Sequence, residues 1–234
     1  MSTRQKVAAV VAEFLGTYVL ASAMLAMLIR TNFEFFSALA AALVYGLMLL
    51  MFGNVSGSYL NPVVTLGMWT VRKISTLNAV AYIIAEVAAG FVAWRVGQYF
   101  IAQALTETAK GGLDWHVFIA EGVGALIFTF ALAYGVAKEL DVVKRAVVGG
   151  FGLFAGILVA SLASDGLLNP AVAIAVRSIS WAYMLGPIVG ALLGFAIYNI
   201  FFNENFTASV KLRPVRKAKA VTVSPTRAKA KASK

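Results

Sequence analysis

The chain has 234 residues, 61% of them hydrophobic and only 13% charged, with a mean hydropathy of +0.84 and a formal net charge of +10. A soluble domain of this size cannot cover so much apolar surface with so few charges, so the composition points to a membrane domain. There is no cysteine and one histidine, His116, and no Ser/His/Asp set, phosphate-binding glycine loop or histidine–carboxylate cluster, so no enzyme activity, metal or cofactor is expected.

Apolar runs of membrane-spanning length lie at 7–29, 37–55, 77–101, 116–137, 145–163 and 181–203, which predicts six transmembrane helices. The first run is too long for a signal-peptide core and no small-residue cleavage site follows it, so it is expected to be retained. It carries Glu13 within Ala12-Glu13-Phe14-Leu15-Gly16. Between the second and third runs stands Asn61-Pro62, followed by Val63-Val64-Thr65-Leu66-Gly67-Met68-Trp69. The third run holds Glu86 deep in its length and Arg95 near its far end, where a long side chain can snorkel. His116 opens the fourth run and is expected at the interface. The same run carries Glu121 within Ala120-Glu121-Gly122-Val123-Gly124. Asn169-Pro170 separates the fifth and sixth runs. From about residue 204 the chain turns to Lys, Arg, Ala, Ser and Pro, the composition of a disordered tail.

The two Asn-Pro dipeptides are 108 residues apart, and so are Glu13 and Glu121. A fixed offset shared by unlike features marks an internal duplication. Repeat one spans about 7–101 and repeat two about 115–203, giving a membrane domain over 1–203 and a tail over 204–234. With three spans in each repeat, the second must start from the opposite face, so the duplication is inverted. Arg4, Lys6, Arg72, Lys73, Lys138, Lys144, Arg145 and the nine basic residues of the tail share one side, against Arg30, Arg95, Lys110 and Arg177. The positive-inside rule therefore predicts cytoplasmic termini, in a plasma or inner membrane.

Asparagine is a favoured N-cap and proline a favoured first helical residue. Each Asn-Pro is expected to open a half-helix of about ten residues, roughly 15 Å long, so that two helix N-termini meet at the membrane centre. Two such positive ends oppose protons and cations. With each asparagine oxygen engaged in capping, its amide N–H groups are expected to donate to passing oxygens. Glu13 and Glu121 are expected to face inward and accept hydrogen bonds from the re-entrant loops that precede the asparagines.

At these residues the chain resembles the aquaporin, or major intrinsic protein, family. Ser56-Gly57-Ser58-Tyr59-Leu60-Asn61-Pro62-Val63-Val64-Thr65 is similar to the family's first signature, with Tyr59 in place of the usual histidine and Val63 in place of alanine. Asn169-Pro170-Ala171 matches the second. Tyr82-Ile83-Ile84-Ala85-Glu86 also fits, though the family more often has glutamine at its end, and Gly186-Pro187 with Gly190-Ala191 fits the last span. The resemblance covers about 7–203 and implies an all-α membrane protein of six transmembrane helices and two re-entrant half-helices. It further implies a homotetramer with one pore per subunit, passing water or small neutral solutes such as glycerol through the bilayer.

The family's arginine after Asn-Pro-Ala is absent, with Val172 standing there. Arg177, five residues on, is about 140° round a helix and is expected at the outer surface. Carried over by spacing, the other members of the family's outer constriction fall on Ala41, Ile157 and Gly166. With Val172 these make an uncharged ring that is expected to be wide. A coupled transporter, or a structural protein of the same fold with a pore narrower than water, are the competing readings. The basic tail is a candidate for contact with anionic lipid headgroups.

Overall fold

The computed structural model describes residues 2–30, 34–105 and 112–203. Within them lie α1 (Thr3–Arg30), α2 (Glu34–Phe52), α3 (Pro62–Thr70), α4 (Thr76–Ile101), α5 (Trp115–Ala137), α6 (Val142–Ala160), α7 (Pro170–Ala175) and α8 (Trp181–Phe201). Six of these are long and apolar enough to cross a membrane. Their outward faces carry large apolar side chains, Leu43, Ile84 and Phe151 among them, each more than 60% exposed. Polar groups turn inward instead, the arrangement of an integral multi-pass membrane protein. The fold is all-α.

The helix ends follow local chemistry. Asp141 caps α6 by accepting from the N–H groups of Val143 and Lys144, so that helix starts three residues before the apolar run. Backbone and side-chain bonds at the Asp141 cap hold its carboxyl below the usual range. Helix α2 stops at Phe52 rather than near 55, turning at Gly53. The half-helices are shorter than ten residues: α3 has nine and α7 only six. Each is closed by an arginine in the left-handed region, Arg72 (φ 62°) and Arg177 (φ 66°). The next N–H then bonds back, Lys73 to Met68 O and Ser178 to Ala173 O, both at 2.9 Å, the pattern that terminates a helix.

Packing repeats across the two halves. Helix α1 packs on α2 and α4, α5 packs on α6 and α8, and α2 meets α6 between the halves. Close approach of α5 and α8 depends on small residues, since a Cβ on Gly190 would strike the carbonyl of Gly122, and one on Gly186 would lie 2.6 Å from Phe118 O. Both half-helices sit inside this bundle, α3 against α4 and α8, α7 against α4 and α1. Their preceding loops are non-helical, and the residues just before each asparagine, Leu60 in the first and Leu167 and Leu168 in the second, are buried. The tail beyond 203, Lys110 and the residues joining α1 to α2 lie outside the described residues.

Candidate functional site

The two re-entrant loops are built alike. Leu60 (φ 55°) and Leu168 (φ 51°) are both left-handed, and so are Ser58 and Gly166 two residues earlier. This turn aims successive N–H groups away from the bundle centre, toward a carboxylate behind each loop. Glu13 accepts from Tyr59 N at 3.1 Å and Leu60 N at 2.7 Å. Glu121 accepts from Leu167 N at 2.9 Å and Leu168 N at 2.6 Å, and from the Ser164 hydroxyl at 2.8 Å. Both glutamates are fully buried. Three residues after each comes a glycine that seats the loop leucine. A Cβ at Gly16 would lie 2.5 Å from Leu60 Cδ2, and one at Gly124 would lie 2.6 Å from Leu168 Cδ2.

Asn61 Oδ1 accepts from Val63 N at 3.0 Å, and Asn169 Oδ1 from Ala171 N at 2.9 Å, with Pro62 and Pro170 at the first helical positions. The amides are not left wholly for solute, contrary to what the Asn-Pro pattern alone implies. Asn61 Nδ2 donates to Leu168 O and Asn169 Nδ2 to Leu60 O, both at 2.9 Å. The left-handed leucines present those carbonyls to the opposite box, so the boxes brace each other. One N–H of each amide remains for the space between them.

That space is a throat lined by both asparagines and by Leu20, Met24, Ala41, Tyr45, Phe128, Leu153, Ile157, Leu167 and Val172. Ala41, Ile157 and Val172 are thus brought together beside the asparagines, whereas Gly166 is not part of the lining. Gly166 packs behind Ile157, where a Cβ would meet Ile157 Cγ2 at 2.9 Å, and Leu167 faces the throat instead. Nor is the ring wide. The throat holds about 10 Å³, at or just below the space one water needs, because Leu20, Met24, Phe128 and Leu153 fill what the small residues leave. On the side of the chain termini it meets a vestibule of about 380 Å³ that Tyr59, Lys73, Glu139 and Arg145 help to line. On the other side, Asp165, Val176 and Ser178 line a recess of about 270 Å³.

The throat residues that spacing missed had a signal. Leu20 and Met24, Ala41 and Tyr45, and Leu153 and Ile157 are pairs one helical turn apart. Leu20 with Phe128, and Tyr45 with Leu153, are also related by the 108-residue offset.

Glu86 joins the first loop. Its Oε1 accepts from Asn61 N at 3.2 Å and from the Thr65 hydroxyl at 2.6 Å, and its Oε2 is buried beside the Glu13 carboxyl with no donor. Arg177 is not on the open outer surface. It is half-buried, its guanidinium 4.2 Å from the centre of the Trp94 ring, which α4 places there. Arg95 is exposed, 5.5 Å from the same ring. His116 is exposed at the start of α5, its Nδ1 3.6 Å from Asp114. Among the described residues no cluster of His, Cys, Asp and Glu could hold a metal ion.

Comparison with known proteins agrees with this geometry. The signature of the major intrinsic protein family matches residues 1–198. A probable aquaporin TIP1-2 of Oryza sativa subsp. japonica is 30% identical over 187 residues, 71% of each chain. Aquaporin-4 of Mus musculus is 30% identical over 166 residues, 64% of this chain, and the match spans only 51% of that relative's length. Among solved structures, the aquaglyceroporin from Plasmodium falciparum has the same fold. Its TM-score is 0.67 at 18% identity, covering 89% of this chain and 100% of that one. The chain belongs to the major intrinsic protein family, whose members are membrane channels rather than enzymes.

Proposed function

We propose that the protein conducts water and small uncharged solutes of the glycerol class passively through its central throat. The observation that carries this reading is the convergence of two asparagine amides, one from each inverted half, on an apolar throat that shares Tyr45 with the termini-side vestibule. A permeating oxygen loses its water partners there and regains a donor from each asparagine. The half-helix N-termini oppose a cation at the same level. Val172 brings no fixed charge to the outer side, so cation exclusion rests on the asparagines and the helix ends. The side chains that narrow the throat are unbranched or singly branched at Leu20, Met24 and Leu153, and they open by changing rotamer.

Stopped-flow light scattering of proteoliposomes with water, glycerol, urea and ammonia tests this. Wild-type vesicles should pass glycerol as well as water, and Val172→Arg should suppress glycerol flux more than water flux. A wild type that passes water and rejects glycerol overturns the solute assignment. One observation favours a second reading, a structural protein of channel fold: the throat has about 10 Å³. Solute and water flux no greater than that of empty vesicles would establish it.

The same proposal includes a membrane domain over residues 1–203, a basic cytoplasmic tail over 204–234 resting on anionic headgroups, cytoplasmic termini in a plasma or inner membrane, and assembly as a homotetramer. Its support is the one-sided distribution of Lys and Arg and the lipid-facing apolar surface of the helices.

A further inference from the structure

Tyr45 is the residue shared by the termini-side vestibule and the central throat at the middle of the passage. It projects from α2 one turn past Ala41, and it is 1% exposed. Its ring stands edge-on to Phe128, centroids 5.2 Å apart and planes at 85°. On its other side Gly149 gives it room, since a Cβ there would lie 2.8 Å from Tyr45 Cε1. The hydroxyl takes part in none of the side-chain hydrogen bonds among the described residues. The 108-residue offset makes the meaning of this arrangement plain. Tyr45 corresponds to Leu153 and Gly149 to Ala41. Ala41 and Leu153 belong to the throat, while Gly149 lines the termini-side vestibule. The duplication thus offers two equivalent positions for a narrowing side chain, and only the one on the termini side carries an aromatic ring.

We infer that Tyr45 is the size-determining residue of the passage, in place of the outer ring of Ala41, Ile157 and Val172. This rests on the channel reading above. A rigid ring held between Phe128 and the Gly149 gap sets the width at one end of the throat. Its phenol offers a hydrogen-bond partner to a solute leaving the asparagines for the vestibule. The vestibule of about 380 Å³ beside it is the space that a solute enters once it has cleared the ring.

The test compares Tyr45→Leu, which installs the residue found at the duplicate position, with Tyr45→Phe and Gly149→Ala, all in proteoliposomes of the full chain. Tyr45→Leu should raise glycerol and urea flux about tenfold, equivalent to about 1.4 kcal/mol off the barrier, with a smaller rise for water. Tyr45→Phe should keep the size cut-off while slowing glycerol relative to water, through loss of the phenol. Gly149→Ala should crowd the ring and lower all fluxes. Size-exclusion elution matching the wild type establishes that each variant is folded, and Tyr45→Met replaces Tyr45→Leu if that one is not. A conducting wild type whose cut-off is unchanged by the folded Tyr45 variants overturns the inference and leaves the channel reading intact. Absence of flux in the wild type and every variant overturns both. A closed wild type opened by Tyr45→Leu supports the inference.

Discussion

Both halves of the molecule hold an asparagine at the centre by the same device, yet they differ in what stands behind it. In the first half two carboxyls serve the loop: Glu13 takes Tyr59 N and Leu60 N, and Glu86 takes Asn61 N and the Thr65 hydroxyl. In the second half Glu121 stands alone. The positions 108 residues on from Glu86 and Thr65 are Gly194 and Ala173, and a Cβ on Gly194 would strike the Thr129 hydroxyl. Space that the first half uses for a buried polar pair is used in the second for close contact between α5 and α8. The carboxylate-to-loop bonds are therefore the shared requirement of the design, and the second carboxyl is an addition to one half.

The largest expected effect exploits that imbalance. Glu121→Ala leaves Leu167 N and Leu168 N without acceptors, in residues no more than 2% exposed. Each buried donor so orphaned costs about 1–3 kcal/mol. Ser164 keeps a second acceptor in Ala160 O and adds little. Glu13→Ala also orphans two donors, but Tyr59 borders the vestibule, where water can serve, and Glu86 lies beside the gap. Thermal unfolding in detergent should show Glu121→Ala losing most of its folded yield and Glu13→Ala losing less. Equal losses would show that both loops depend on their carboxylates to the same extent.

How much of this was legible beforehand differs between fold and site. The six spans, the two half-helices and the glutamate-to-loop geometry follow from features with long-range regularity: apolar runs of membrane length and one repeated offset. The partial engagement of the asparagine amides is not legible in the sequence, because the bond from Asn61 to Leu168 O depends on a left-handed leucine 107 residues away. Residue counting puts Gly166 in the outer ring, whereas Leu167, the residue after its positive φ, lines the throat instead. The width of the ring could not be read from Ala41 and Val172, since Met24 and Phe128 from other helices fill it. Local composition reports what a residue leaves empty, and tertiary packing decides what enters.

A second effect, smaller for folding but large for selectivity, comes from Asn61→Asp and Asn169→Asp. Aspartate keeps the N-cap. It has no N–H for the opposite leucine carbonyl, so one of the two 2.9 Å braces is lost, and it places a negative charge between the helix ends. Both variants should leak sodium or potassium, measured as conductance in planar bilayers. The leak should be greater for Asn169→Asp, because α7 aligns six residues behind that charge where α3 aligns nine. Unaltered cation exclusion in both variants would remove the electrostatic role assigned to the boxes.

The smallest expected effect is Glu86→Gln, and it asks whether the added carboxyl of the first half is needed as an acid. Glutamine presents the same Oε1 to Asn61 N and the Thr65 hydroxyl. It also turns an N–H toward the Glu13 carboxyl, where Glu86 Oε2 now lies buried without a donor. An oxygen with no donor is replaced by a donor with an acceptor in reach, so the variant should be at least as stable as the wild type. A gain of about 1 kcal/mol is the expected scale for such a bond. Water and glycerol flux should be unchanged, because Glu86 lies behind the loop and does not line the throat. Glu86→Ala, by contrast, orphans Asn61 N and the Thr65 hydroxyl and should unfold at a lower temperature. If Glu86→Gln falls as far as Glu86→Ala, the ionisable group itself is required, and the first half differs from the second in chemistry as well as in bracing.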